Sequence, residues 1–171
     1  MSISNEVNKI NQLIADAEKL KNQASSKIQN FTLFLGKIGR HSNISAHLTD
    51  CINTLNKVQR SAEDFVRNYK NMKEANTINS DKYFHAKANC EAAQNGIAGA
   101  VVSRGISDLR ELTDVYNNTL RKGMTLQESY EDSIKDQEAN RFGRTQGTNN
   151  PDKNCGDLVN KYRPNSLDKK Y

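Results

Sequence analysis

Ile44-Ser-Ala-His-Leu48-Thr-Asp-Cys51-Ile-Asn-Thr-Leu55-Asn-Lys-Val58-Gln-Arg-Ser-Ala62-Glu-Asp-Phe65-Val-Arg-Asn-Tyr69-Lys-Asn-Met72 carries an apolar or aromatic residue, or Cys51, at alternating steps of four and three without a break. That spacing puts the series on one stripe of a helix, with Asn, Gln, Lys and Ser between. Upstream, Ile3, Val7, Ile10, Ile14, Ala17, Lys21, Ala24, Ile28, Phe31, Leu35 and Ile38 repeat the pattern, interrupted only by Lys21. Between the two series lies Gly36-Lys-Ile-Gly39-Arg-His-Ser-Asn43. Its glycines end one helix and its Ser/Asn pair caps the next. A connection this short makes the two neighbours antiparallel, so residues 1–76 are expected to form a helical hairpin.

Composition agrees with a helical reading. Of 171 residues 35% are apolar, with no Trp and two Pro. So low an apolar share excludes a large α/β enzyme with a buried parallel sheet, the near-absence of proline argues against a loop-rich β fold, and the lack of a run of ~18 apolar residues excludes a conventional transmembrane protein. The net charge is +5, of which +4 falls in residues 1–80 and +1 in residues 81–171. Aromatic residues do not interleave with the Lys and Arg, so no nucleic-acid partner is expected. The start, Met1-Ser-Ile-Ser-Asn-Glu-Val7, lacks the marks of a cleaved signal peptide. The expectation is a cytosolic chain or one exported without a classical signal.

The fold class expected is all-α: the antiparallel hairpin, then a compact small helical domain over residues 81–171 with an irregular C-terminal tail. Tyr83 to Val102 is rich in Ala and Gly, and Ala86, Ala93, Gly96 and Ala100 allow another backbone to approach closely. A second helix is expected over Ser107–Leu120, ended by Gly123. Thr125-Leu-Gln-Glu128 is a capping box opening a third, to about Phe142. Gly143-Arg-Thr-Gln-Gly-Thr-Asn-Asn-Pro-Asp152 reads as a turn-rich loop, and a short helix follows over Cys155–Tyr162. Cys51 falls on the apolar seam as a small core residue. That leaves Cys90 and Cys155 as the candidate disulfide, which persists only in an oxidising compartment.

Polar side chains recur at helical steps in this half. Asp132, Asp136 and Asn140 lie four apart, with Arg144 extending the row; Glu111 and Asp114 share a face, as do His85 and Asn89. A solvated helix face accounts for the same acids. Cys90 as a nucleophile with His85 is disfavoured, since five residues apart on a helix they point in different directions. No cofactor is called for and no metal motif is present; a site built from His85, Glu111 and Asp136 stays open, its spacing too irregular to decide.

The order His85-x-x-x-x-Cys90, Gly96, Glu111, Asp114, Ser133-x-x-Asp136-x-x-x-Asn140-x-x-Gly143-Arg144, closing with Cys155 and Tyr162-Arg-Pro-Asn165 to Leu167, resembles the C-terminal toxin domains of RHS-type polymorphic toxins and small type VI secretion effectors. The resemblance covers residues 81–171. It implies a secreted antibacterial effector with a cognate immunity protein, and residues 1–76 serving a secretion-machine component or chaperone. With the cysteines bridged, the target cell's periplasm and envelope become the place of action and peptidoglycan the substrate. Glu111 would then be the general acid and Asp132 or Asp136 its partner. His85 would orient substrate or water, and Asn89, Asn140 and Arg144 would bind substrate. Two alternatives stand beside it: a membrane-acting effector inserting residues 86–102, and a non-enzymatic helical adaptor.

Overall fold

The computed structural model describes residues 42–171 and eight single positions between 12 and 30. The turn of the expected hairpin, and all of its first helix but those eight positions, lie outside the described residues. The chain divides into two compact units, Met1–Arg60 and Ser61–Tyr171. Every element of residues 42–171 is helical: α1 (Ser42–Ala75), α2 (Asp81–Gln94), α3 (Ile97–Arg121), α4 (Leu126–Asn149), the short α5 (Cys155–Leu158) and a 3-10 turn, Asn160–Tyr162.

In the first unit, Cys51 is a free, exposed thiol and Leu55 is exposed as well. Seam spacing puts a residue on a face but does not bury it, so the expectation of a core Cys51 fails.

In the second unit each break is written in the sequence. Asn76 and Asn79 adopt left-handed backbone (φ 43° and 61°) in the α1–α2 link, which Asn tolerates better than other side chains. Gly96 (φ 82°) separates α2 from α3, and Gly123 (φ 69°) separates α3 from α4. The capping box forms: Glu128 N donates to Thr125 Oγ1 at 3.2 Å and Thr125 N donates to the Glu128 carboxylate at 2.9 Å. Two expected boundaries move. α3 begins ten residues before Ser107, and α4 continues past Phe142 through the expected loop to Asn149. Gly143 and Gly147 serve packing there: a Cβ on either would run into the α2 backbone at Ala86 or Cys90. The Ala-rich face of α2 and the glycines of α4 thus bring two backbones together.

The apolar core is small: Tyr83, Phe84, Ala86 and Cys90 from α2, Ala139 from α4, and Cys155, Val159 and Leu167 from the tail. The expected pair Cys90 and Cys155 is bridged, closing a separation of 65 residues. The tail is pinned by Arg163, which donates to Tyr83 Oη (2.9 Å) and to the backbone oxygen of Asp168 (2.7 Å). Tyr83 donates in turn to the backbone oxygen of Tyr171 at 2.9 Å.

Candidate functional site

Helix α3 is turned inside out. Its buried line is Gly99, Ser103, Ser107, Glu111 and Asn118, at steps of four and then seven. Its opposite face carries Ile97, Val101, Leu109, Leu112, Tyr116 and Leu120, all exposed, with Ile97 at 87% and Leu112 at 70%. In a water-soluble bundle the apolar stripe ordinarily faces the core. Leu126, Tyr130 and Ile134, at steps of four on the first turns of α4, are exposed too.

The polar line of α3 meets α2 and α4 in a buried network centred on Asn89. Its side-chain oxygen receives Arg144 Nη1 at 2.8 Å and hydrogen-bonds Ser107 Oγ at 2.8 Å. Its Nδ2 donates to Asn140 Oδ1 at 2.8 Å and to the backbone oxygen of His85 at 2.9 Å. Asn140 passes the chain on, donating from Nδ2 to Glu111 Oε1 at 3.1 Å. His85 Nδ1 lies 3.5 Å from that same oxygen.

His85, Glu111 and Asp136 each offer one ligand-type atom, and these atoms all lie within 4.8 Å of one another. Glu111 Oε2 and Asp136 Oδ1 are buried without a hydrogen-bond partner. A buried orphan of this kind costs about 1–3 kcal/mol. Burial pushes the Asp136 carboxyl up to about 6; Glu111, Asp81 and Asp132 push the same way and His85 opposes them. Burial likewise lowers the Arg144 guanidinium.

Of the residues singled out from sequence, His85, Asn89, Glu111, Asp136, Asn140 and Arg144 come together from three helices. Asp132 stays exposed one turn before Asp136. Asp114 pairs with Arg110 at 3.4 Å instead. Ser107 was missed, although its spacing of four from both Ser103 and Glu111 marks the buried line. The exposed apolar face of α3 was missed as well. The segment 86–102, weighed for membrane insertion, holds Ala86, Ala88, Ala92 and Ala93 buried within the bundle. Among the described residues no helix is long and apolar enough to cross a membrane.

The serum amyloid A protein family model matches residues 52–171. A serum amyloid A protein of Notamacropus eugenii is 39% identical over 140 residues, which is 82% of this chain and 96% of the relative. Serum amyloid A-2 protein of Sus scrofa is 37% identical over 139 residues, 81% of this chain and 98% of its own length. Serum amyloid A protein of Bos taurus is 42% identical over 110 residues, 64% of this chain and 77% of the relative.

These matches overturn the toxin-domain resemblance, because they account for the same residues 81–171 with proteins of mammals. The resemblance rested on short motifs, most of them polar residues at helical spacing, and any bundle with a polar interface produces rows of that kind. With it go the antibacterial effector, its peptidoglycan-hydrolase activity, and the pore-forming and adaptor alternatives. The immunity protein, the secretion machinery at residues 1–76, the target-cell envelope and the periplasmic destination go too. The chain belongs to the serum amyloid A family.

Proposed function

We propose that this chain is an extracellular protein that binds lipid surfaces through the outward apolar face of α3. The observation that carries the reading is the inversion of α3: leucines, Ile97 and Val101 outside, serines and Glu111 inside. The relatives' names place them in serum, and the Cys90–Cys155 bridge suits an oxidising compartment.

The stripe from Ile97 to Leu120 spans roughly 35 Å of helix at 1.5 Å per residue. A Cβ built at Gly105, in register with the row, would meet nothing beyond its own helix within 4 Å. Tyr116 and Tyr130 offer rings with a polar tip, suited to the boundary between headgroups and acyl chains. Exposed Arg104, Lys122 and Lys135 can lay their stems along apolar surface while keeping their charges wet. This is seating on a surface, with the bundle intact, and not insertion across a bilayer.

Sedimentation with sucrose-loaded phosphatidylcholine vesicles tests it. The full chain is expected to co-sediment. Leu109→Glu with Leu112→Glu should weaken binding roughly a hundredfold, since each leucine contributes about 1.5 kcal/mol or more when buried. Both side chains are exposed, so circular dichroism should be unchanged. Wild-type protein that stays in the supernatant, or a double variant that binds equally well, refutes the reading. So does a dimer that the double variant abolishes while vesicle binding is absent.

A further inference from the structure

We propose that His85 on α2, Glu111 on α3 and Asp136 on α4 form a binding site for a divalent transition-metal ion, with Zn2+ the best fit, clamping three helices at one point. The three side chains are 25 or more residues apart pairwise in sequence, yet the fold brings one ligand-type atom from each within 4.8 Å of the others. His85 Nδ1 and Glu111 Oε1 stand 3.5 Å apart. Two ligands of a tetrahedral zinc ion, each about 2.0–2.1 Å from the metal, are separated by roughly 3.3 Å. Asp136 is half-buried, so its carboxylate can turn to close the remaining distance.

A second observation points to a cation independently of the cluster. Glu111 is only 3% exposed, yet its Oε2 has no hydrogen-bond partner, and Asp136 Oδ1 is in the same state. Two buried carboxylate oxygens with nothing to accept from are what a bound ion would satisfy. The charges balance as well: a neutral imidazole and two carboxylates neutralise a divalent cation, leaving no net buried charge.

The donor set chooses among cations. Calcium and magnesium take oxygen ligands almost exclusively. An imidazole nitrogen with two carboxylates suits zinc and its first-row neighbours. The surroundings resemble a built site in one further respect. Glu111 is oriented by Asn140, Asn140 by Asn89, and Asn89 by Arg144 and Ser107, an outer layer of the kind that aims metal ligands.

The test is calorimetric titration of the full chain with ZnCl2 in a Cys51→Ser background, which removes the free thiol as a competing ligand. Co2+ substitution, read by visible absorption, reports coordination by nitrogen and oxygen. A one-to-one component is expected, weakened at least ~10-fold by Asp136→Asn and by Glu111→Gln, with a zinc-induced rise in melting temperature that both variants lose. Asp136→Asn sits at a half-buried position and Glu111→Gln keeps the acceptor for Asn140, so both variants should fold, which circular dichroism checks. No zinc component in the folded parent overturns the proposal. So does a component that both folded variants retain unchanged, since His41 and His47 would then account for it.

Discussion

Gly143→Ala puts two effects of opposite sign against each other. Replacing a glycine inside a helix by alanine stabilises by roughly 1 kcal/mol through backbone propensity alone. At Gly143, however, the new Cβ would stand 2.8 Å from the carbonyl carbon and 2.9 Å from the Cα of Ala86, with the carbonyl oxygen nearer still. Ordinary carbon contacts lie at about 3.5–4.0 Å, so α2 and α4 must separate by roughly 0.6 Å or more where they cross. None of the atoms involved is a flexible side-chain end, so the strain has no cheap escape. Overpacking of this sort costs about 1–3 kcal/mol. The separation also stretches the Asn89–Asn140 hydrogen bond, 2.8 Å in the native packing, at a further cost of about 1 kcal/mol. The strain wins, and the variant should be destabilised by about 2 kcal/mol, or roughly 10 °C in melting temperature for a unit of this size. Gly105→Ala is the internal control, because nothing lies within 4 Å of a Cβ there; it should gain up to ~1 kcal/mol. Urea denaturation followed by far-ultraviolet circular dichroism measures both. A Gly143→Ala variant as stable as Gly105→Ala would refute the close approach of α2 and α4.

Opening the Cys90–Cys155 bridge by Cys155→Ser releases a loop of 65 residues and should cost roughly 4 kcal/mol on chain entropy, visible as a lower urea midpoint than that of the oxidised parent. Asn89→Leu leaves Asn140, Ser107 and Arg144 without the acceptor or donor they share; a loss of about 3 kcal/mol is expected, against near-neutral effects for Asn149→Leu on the exposed end of α4. Asp136 supplies a pH dependence. Its folded value, about 6, lies above the ordinary carboxylate value of 3.8. Its ionised form therefore penalises the fold above pH 6, and the penalty fades as pH falls towards 4. In chelator, with His85, Glu111, Asp81 and Asp132 left in place, Asp136→Asn should stabilise by about 1–2 kcal/mol at pH 7.5, allowing for the solvent that reaches this carboxyl. The gain should vanish near pH 4, and equal gains at both values would count against the burial of Asp136.

Local signals made the helical class and several element ends legible. The Thr125–Glu128 capping box, Gly123 and the Asn76–Ser80 link each act within a few residues, so their chemistry can be read in order along the chain. Polar periodicity also gathered His85, Asn89, Glu111, Asp136, Asn140 and Arg144, because a step of four is a face whatever that face meets. What the face meets is a tertiary fact. Asp132 shares its row with Asp136 but falls one turn short of the three-helix junction. Gly143 and Gly147 have the composition of a loop, and only the backbone of α2 opposite them makes them packing residues. Function was misread for a related reason. A polar row suits catalytic machinery, but a row of that kind also arises when a bundle buries hydrogen bonds in place of hydrocarbon.

That substitution links stability to the proposed activity. A helix has one apolar stripe to spend, and α3 turns its stripe outward. The bundle then forgoes about 1.5–3 kcal/mol for each large side chain left in water. Other contributions have to offset this. Close backbone contact at Gly143 and Gly147, the Asn89 network, and the Cys90–Cys155 bridge all hold α2, α4 and the tail together without drawing on the outer face of α3. If the stripe were instead a packing defect, the fold would gain from its removal in every setting. Leu109→Glu with Leu112→Glu separates the cases: it should leave the urea midpoint unchanged or slightly raised in buffer, while lowering stability relative to the parent once phosphatidylcholine vesicles are present. A ligand that binds only the folded state stabilises it in proportion to its affinity, so the vesicle-dependent difference measures what the outward stripe contributes. Equal midpoints for parent and variant in saturating vesicles would mean that α3 has no use for its exposed leucines.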